Sequence, residues 1–263
     1  MLDFVSRMEQ APLGKTHLFS LGQAGFIIKN SIGKFLAIDP YLSDCVERVE
    51  SSVGYKRLLP KILDPKDICL DVLICTHFHR DHYDIDSVPT LMRGGKTLLL
   101  CPEDCRVDTV NEKIDSAAVR IIKPSDHVEK DGFKITFINC DHGAGAPMAV
   151  GVIVETDRLK IVEVGDTCLR LDRVSEITSG GNVDVLIAPI NGAYGNLNES
   201  ECVRLAMAVE PKLVIPCHYG MFKAHGGDPK LFCKIMSEQS QVNYTLMEQG
   251  EKLTIGEWAK NGI

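Results

Sequence analysis

The chain has 263 residues, 44% of them hydrophobic and 25% charged, with a formal net charge of −7. That composition predicts a globular chain with a sizeable core, and its acidity argues against a sequence-independent grip on nucleic acid, which needs a basic surface. No apolar run approaches the roughly 20 residues of a membrane span, and Met1 to Gln10 lacks the apolar stretch of a secretion signal.

The ten cysteines form no CxxC pair, and Cys69, Cys75, Cys101 and Cys217 sit in apolar stretches. They read as reduced, buried thiols of a cytoplasmic protein. In chain order, the first ten residues suit a short helix. Thr16–Leu21, Gly25–Lys29 and Lys34–Asp39 read as strands with glycines at their turns, and His17 in the first is expected to be structural. From Leu42 to Pro65 no periodicity holds, and Ser51 to Arg57 reads as a mobile loop of the kind that covers active sites. Its Lys56 and Arg57 are candidates to meet an anionic substrate, with solvated surface charge as the alternative.

The stretch Asp71 to Asp86, DVLICTHFHRDHYDID, organises the rest. The apolar run Val72–Cys75 leads directly into His77, His79, Asp81 and His82. If the chain stays extended to His79, period-2 alternation puts His77 and His79 on one side, and a turn at Arg80 returns Asp81 and His82 toward it. Imidazoles and a carboxylate form a ligand set for zinc, iron or manganese. Ile85, Val88, Leu91 and Met92 then follow with the spacing of a helix face that starts near Asp84 or Asp86. Asp39, closing the third strand, is placed to support the metal loop from behind.

Further strands are expected at Thr97–Cys101, Val119–Ile122, Phe133–Asn139, Val183–Ala188 and Lys212–Pro216, and a helix over Pro102–Lys113. Met148–Glu155 with Leu159–Val164, and Tyr244–Met247 with Lys252–Ile255, read as hairpins; His127 falls in a polar loop. Asn198–Glu201 has the form of a capping box opening a helix, and Asp228–Gln239 reads as another. No repeat, low-complexity tract or linker divides the chain, which predicts one domain over residues 1–263.

Four of the apolar strands end on a candidate ligand: His77, His142, Asp166 after Gly165, and His218. Ligands at strand ends, held by a rigid sheet, are how open α/β folds build sites. Gly165 and Gly143 are expected to let the backbone approach closely there. Cys75 and Cys140 each lie two residues before a ligand and so on the same strand face, where burial is expected rather than thiolate ligation. Substrate choice is expected in two loops that follow strands at this edge, 191–198 and 219–227. Their candidate substrate contacts are Asn191, Tyr194, Tyr219, Lys223 and His225.

These residues carry a family resemblance. Thr76–His82, His142, Gly165–Asp166–Thr167 and His218 resemble the ligand set of the metallo-β-lactamase superfamily. Within it, Leu21–Phe26, Ile190–Gly192 and Pro216–Phe222 most resemble the L-ascorbate-6-phosphate lactonase group, although Phe78 stands where those enzymes usually carry Asp and this chain is shorter. The resemblance implies a four-layer αββα sandwich with metal in a cleft at one edge. It assigns His77, His79 and His142 to one ion, Asp81, His82 and His218 to a second, and Asp166 between them. It leans toward manganese within the lactonases and zinc in the wider superfamily, with iron as a third choice.

Two divalent ions, two carboxylates and one hydroxide would leave such a core at about +1, suited to electron-rich oxygens. Asp81 and Asp166 are the expected catalytic carboxylates. The function expected is hydrolysis of a small anionic lactone by attack of hydroxide supplied at the metal, in the manner of L-ascorbate 6-phosphate. A metal-dependent phosphodiesterase is the alternative, and a di-iron redox protein of the same fold is the alternative from another class; His79 and the chain length argue against the latter. No nucleic acid or membrane partner is expected, and self-association is left open.

Overall fold

The computed structural model describes residues 3–50 and 52–257. Its strands are β1 (His17–Gly22), β2 (Gly25–Lys29), β3 (Phe35–Ile38), β4 (Val72–Ile74), β5 (Leu98–Cys101), β6 (Val119–Ile121), β7 (His127–Lys130), β8 (Phe133–Asn139), β9 (Val150–Thr156), β10 (Leu159–Glu163), β11 (Val185–Pro189), β12 (Leu213–Cys217) and β13 (Lys252–Thr254). The helices are α1 (Phe4–Glu9), α2 (Cys45–Val49), α3 (Val88–Met92), α4 (Arg106–Asn111), α5 (Val174–Thr178), α6 (Glu199–Val209) and α7 (Pro229–Gln239).

The strands form two sheets, ordered β13-β1-β2-β3-β4-β5-β6 and β12-β11-β10-β9-β8-β7. Period-2 alternation explains why both faces of each sheet are covered. Leu18, Ile28, Leu36, Val72 and Ile74 of the first sheet meet Ile135, Phe137, Val152, Ile161 and Ile187 of the second in a core between the sheets. Their neighbours Phe19, Ile27, Ala37 and Leu73 point outward, where Phe4 and Met8 of α1 and Val88 and Leu91 of α3 cover them. Val162, Leu186 and Val214 point the other way, under Val203 and Leu205 of α6 and Phe232 of α7. The result is the expected αββα layering.

Strand direction then gathers one edge. β3, β4, β5 and β6 run parallel, as do β10, β11 and β12. β1 is antiparallel to β2, which is antiparallel to β3, so β1 points the same way as β3. The same logic through β9 aligns β8 with β10. The carboxyl ends of β1, β3 and β4 therefore lie at one edge of the first sheet, and those of β8, β10 and β12 at one edge of the second. Two backbone bonds clasp the sheets there: His218 N–H donates to Gln23 O at 2.8 Å, and Val150 N–H to Thr76 O at 3.1 Å.

Several expectations need correction. His127 opens β7 rather than lying in a loop. Tyr244 bridges Val214 of the second sheet while β13 pairs with β1 of the first, so the last two segments are not a hairpin. The aperiodic stretch after Leu42 contains α2, and Ser51 lies outside the described residues. Cys69 is exposed, whereas Cys75, Cys101 and Cys217 are buried as expected. Among the described residues no helix is long and apolar enough to cross a membrane.

Candidate metal centre

β4 delivers the central motif. Cys75 N–H extends the ladder by donating to Leu100 O, and Thr76 N–H turns away to Asp39 Oδ1 at 2.7 Å. After His77 and His79 the chain folds back, with His82 N–H and Tyr83 N–H both donating to His79 O. Buried Asp84 fixes the exit of this loop, accepting from Leu42 N–H, Ser43 N–H and Ser87 Oγ. On the second sheet, Gly165 is required before Asp166. Its φ is +68°, and a Cβ there would stand 2.7 Å from the Val150 carbonyl oxygen. Gly143 (φ +67°) has open space around it, so its need is the left-handed backbone alone rather than close approach.

The seven candidate ligands converge. His77, His79 and His142 form one group, His77, His82 and Asp166 a second, and Asp81, His82 and His218 a third, each with its donor atoms within 4.8 Å of one another. His77 Nε2 is 2.9 Å from His79 Nδ1, and His142 Nε2 is 3.2 Å from that same atom. His82 Nε2 is 3.2 Å from His218 Nε2. Asp166 Oδ2 stands between the groups, 3.1 Å from His218 Nε2, 3.4 Å from His82 Nε2 and 3.8 Å from His142 Nε2. Ligands about 2.1 Å from a tetrahedral ion lie roughly 3.4 Å apart. These spacings therefore fit divalent ions of that size.

Electrostatics point the same way. Burial works against charge on His82, yet Asp166, Asp81 and Asp39 outweigh it and hold its pKa well above the usual imidazole range. His218 behaves alike, raised to about 9 against its burial by Asp166 and Asp81. Asp81 and Asp166 are held far below the carboxylate range despite burial, by His82 and His218. His77 and His142 go the other way: burial lowers both, His142 to about 4, leaving neutral rings that can donate lone pairs. A pocket that stabilises positive charge beside neutral imidazoles suits a cation.

Outer groups orient this set. Asp39, wholly buried, accepts from Thr76 Oγ1 and contacts His82 Nδ1, each at 2.6 Å, the position of a carboxylate behind a candidate ligand histidine. Gln23 is the residue that reasoning from side-chain chemistry missed. Its Nε2 donates to Asp81 Oδ2 at 2.8 Å and lies 2.8 Å from His225 Nδ1. The signal was its place in the Leu21–Phe26 segment, at a turn between two strands. Cys140 Sγ donates to the Asp166 carbonyl at 2.9 Å, and Cys75 is buried in the core facing α3; neither joins the three donor groups.

A cavity of about 770 Å³ opens over the cluster, lined by His79, Asp81, His142, Asp166 and His218 together with Val46, Val49, Glu50, Tyr55, Phe78, Arg80, Tyr194 and His225. Of the five expected substrate contacts, only Tyr194 and His225 line it. Asn191 is buried and outside the cavity lining, its Oδ1 accepting from Asn196 Nδ2 at 3.2 Å while its Nδ2 has no partner. Tyr219 packs against the core beneath α6 and α7, and Lys223 is exposed outside the cavity. Arg57 is also unavailable: it is buried, with guanidinium bonds to the carbonyls of Leu59, Tyr41 and Ser43. Lys56 is exposed and outside the cavity lining.

The model of the β-lactamase superfamily domain matches residues 17–218. The chain belongs to that superfamily. A UPF0173 metal-dependent hydrolase of Polynucleobacter asymbioticus is 30% identical, over 90% of this chain and 86% of its own length. One from Thermococcus kodakarensis is 25% identical over 89% and 97%. Among solved structures, the metallo hydrolase Igni18 from Ignicoccus hospitalis is similar with a TM-score of 0.71 and 22% identity, over 92% of this chain and 98% of its own. An isothiocyanate hydrolase from Delia radicum gut bacteria has the same fold at a TM-score of 0.69 and 17% identity, over 92% and 100%. With its relatives and its donor cluster, this superfamily member is a metal-dependent hydrolase.

Proposed function

We propose that this hydrolase opens a carboxylic ester bond, with a lactone as its first substrate class. The observation that carries the reading is the convergence of five histidines and two aspartates at the floor of one cleft. The resemblance of the 21–26, 190–192 and 216–222 segments to lactonases supports the lactone within that class.

His77, His79, His142, Asp81, His82, His218 and Asp166 are the residues that would hold one or two divalent ions, manganese, zinc or iron by donor type. Such ions acidify water and polarise a carbonyl oxygen. Asp81, fixed by Gln23 and lining the cleft, orients the attacking water and accepts its proton. Water oxygen bonds to the carbonyl carbon, the ring C–O bond breaks, and the released alkoxide takes the proton back, giving a hydroxy acid. His225, beside both Gln23 and His218, keeps the Asp81 side of the cleft rigid.

We do not retain a phosphate-bearing arm as part of this reading. Lys56, Arg57 and Lys223 do not line the cleft, and Arg80, which does, is engaged by Asp108 at 2.7 Å. The test is a screen of lactones against phosphodiesters with protein reconstituted in manganese or zinc. Metal-dependent lactone opening supports the reading; diester cleavage without lactone opening would replace it with the phosphodiesterase.

A further inference from the structure

We propose that Tyr55, Tyr194 and Phe78 form an aromatic slot that selects an uncharged, ring-bearing arm on the substrate. The inference rests on the ester-hydrolase reading for the bond that is cut, and on separate observations for the arm. Tyr55 comes from the loop after α2 and Tyr194 from the loop after β11, and their hydroxyls hydrogen-bond to each other across the cleft mouth. The His225 ring meets both edge-on, with centroids 5.9 Å from Tyr55 and 5.6 Å from Tyr194. It then stacks on the candidate ligand His218, at 4.8 Å and 10°. The arch is thereby tied to the metal floor through one imidazole. Phe78 also lines the cavity, its ring 4.8 Å from that of His79.

Charge and backbone favour the same occupant. The lining cation Arg80 is paired with Asp108, while Glu50 adds negative charge to the wall. Val46 and Val49 complete an apolar side. A phosphate or carboxylate arm would meet acidic and aromatic surface, whereas an aromatic ring can stack and bury area. Tyr194 is 56% exposed, which leaves ring surface for a ligand to cover. It is also held at φ +57°, a left-handed backbone unusual for a bulky residue and common where a loop serves a site.

The test compares phenyl-substituted, methyl-substituted and phosphorylated lactones with wild type, Tyr194→Ala and Tyr194→Phe, metal content being measured in each. Calorimetry with a phenyl-substituted, unstrained five-membered lactam, verified by mass to remain closed after the titration, reads binding apart from chemistry. Wild type should prefer the phenyl lactone over the phosphorylated one by about tenfold or more in kcat/KM. Tyr194→Ala should raise KM for the phenyl lactone about tenfold, more than for the methyl lactone, with Tyr194→Phe retaining most of the binding. Equal effects on phenyl and methyl substrates, a preference for the phosphorylated one, or no lactam binding by wild type would each overturn the slot. Lactam binding that weakens in Tyr194→Ala, without opening of any lactone, would support the slot and overturn the ester reading instead.

Discussion

Asp39 offers a quantitative check on how the centre is supported. Its carboxylate meets Thr76 N–H at 2.7 Å, Thr76 Oγ1 at 2.6 Å and His82 Nδ1 at 2.6 Å, all buried. Asp39→Ala leaves three buried polar groups without that partner, at about 1–3 kcal/mol for each unsatisfied group and so about 3–6 kcal/mol together with partial relaxation. Alanine also inherits a backbone φ of +45°, which adds strain. Asp39→Asn is the gentler change, since asparagine tolerates that conformation and its carbonyl can still accept from Thr76. It lacks the carboxylate charge that orients His82, so metal affinity should fall about 10–100-fold with the fold intact. Denaturant unfolding of the metal-free proteins and competition against a chromophoric chelator read the two effects separately. A folded Asp39→Asn that binds metal as tightly as wild type would refute the role of Asp39 behind His82.

Two more predictions follow from groups away from the ligands or beside them. Burial raises the Glu112 carboxyl from 4.5 to about 7, against the opposing hydrogen bond from Tyr83. The folded chain thus binds an extra proton at this carboxyl across that window, so the contribution of Glu112 to stability should fall as pH rises from 4.5 to about 7. After allowance for solvent screening of this half-buried group the loss is about 1–2 kcal/mol. The difference in unfolding free energy between Glu112→Gln and wild type, both metal-free, should change by that amount between pH 4.5 and 7; a difference that does not vary with pH would refute the assignment. Gly165→Ala should destabilise by about 2 kcal/mol or more through its left-handed backbone and its approach to Val150, and should weaken metal binding by shifting Asp166. Wild-type stability and affinity would show that the loop relaxes without moving the ligand.

The layering and the strand-end positions of the candidate ligands were legible because both depend on short-range pattern. Short apolar runs bounded by turn residues marked β1 to β5 and β8 to β12, and each candidate ligand followed its strand within a few residues. Asn198 and Glu201 announced the α6 start, and the structure has both halves of the box, each at 3.0 Å. What failed depended on distant chain. Lys223 and Arg57 read as cations free to meet substrate, but Arg57 is drawn inward by carbonyls of residues 41, 43 and 59, which no local spacing reveals. Gln23 carries no charge or metal preference, so its contacts to Asp81 and His225 emerge only when β1 and β12 end at the same edge. Glu163 was equally silent: it ends β10 three residues before Asp166, buried with neither carboxyl oxygen partnered, and burial with Asp39 nearby raises its pKa well above the usual range. β13 was expected as a strand, but its pairing was misassigned because its partner β1 is at the other end of the chain.

The most direct test of the account is elemental analysis of protein purified without chelator and then reconstituted with manganese or zinc, in wild type, His142→Ala and Asp166→Asn. Wild type should hold about one to two divalent ions per chain and both variants should show a clear loss, with all three chains folded. Wild-type protein that retains no ion under either metal, or variants that hold the full complement, would contradict the account.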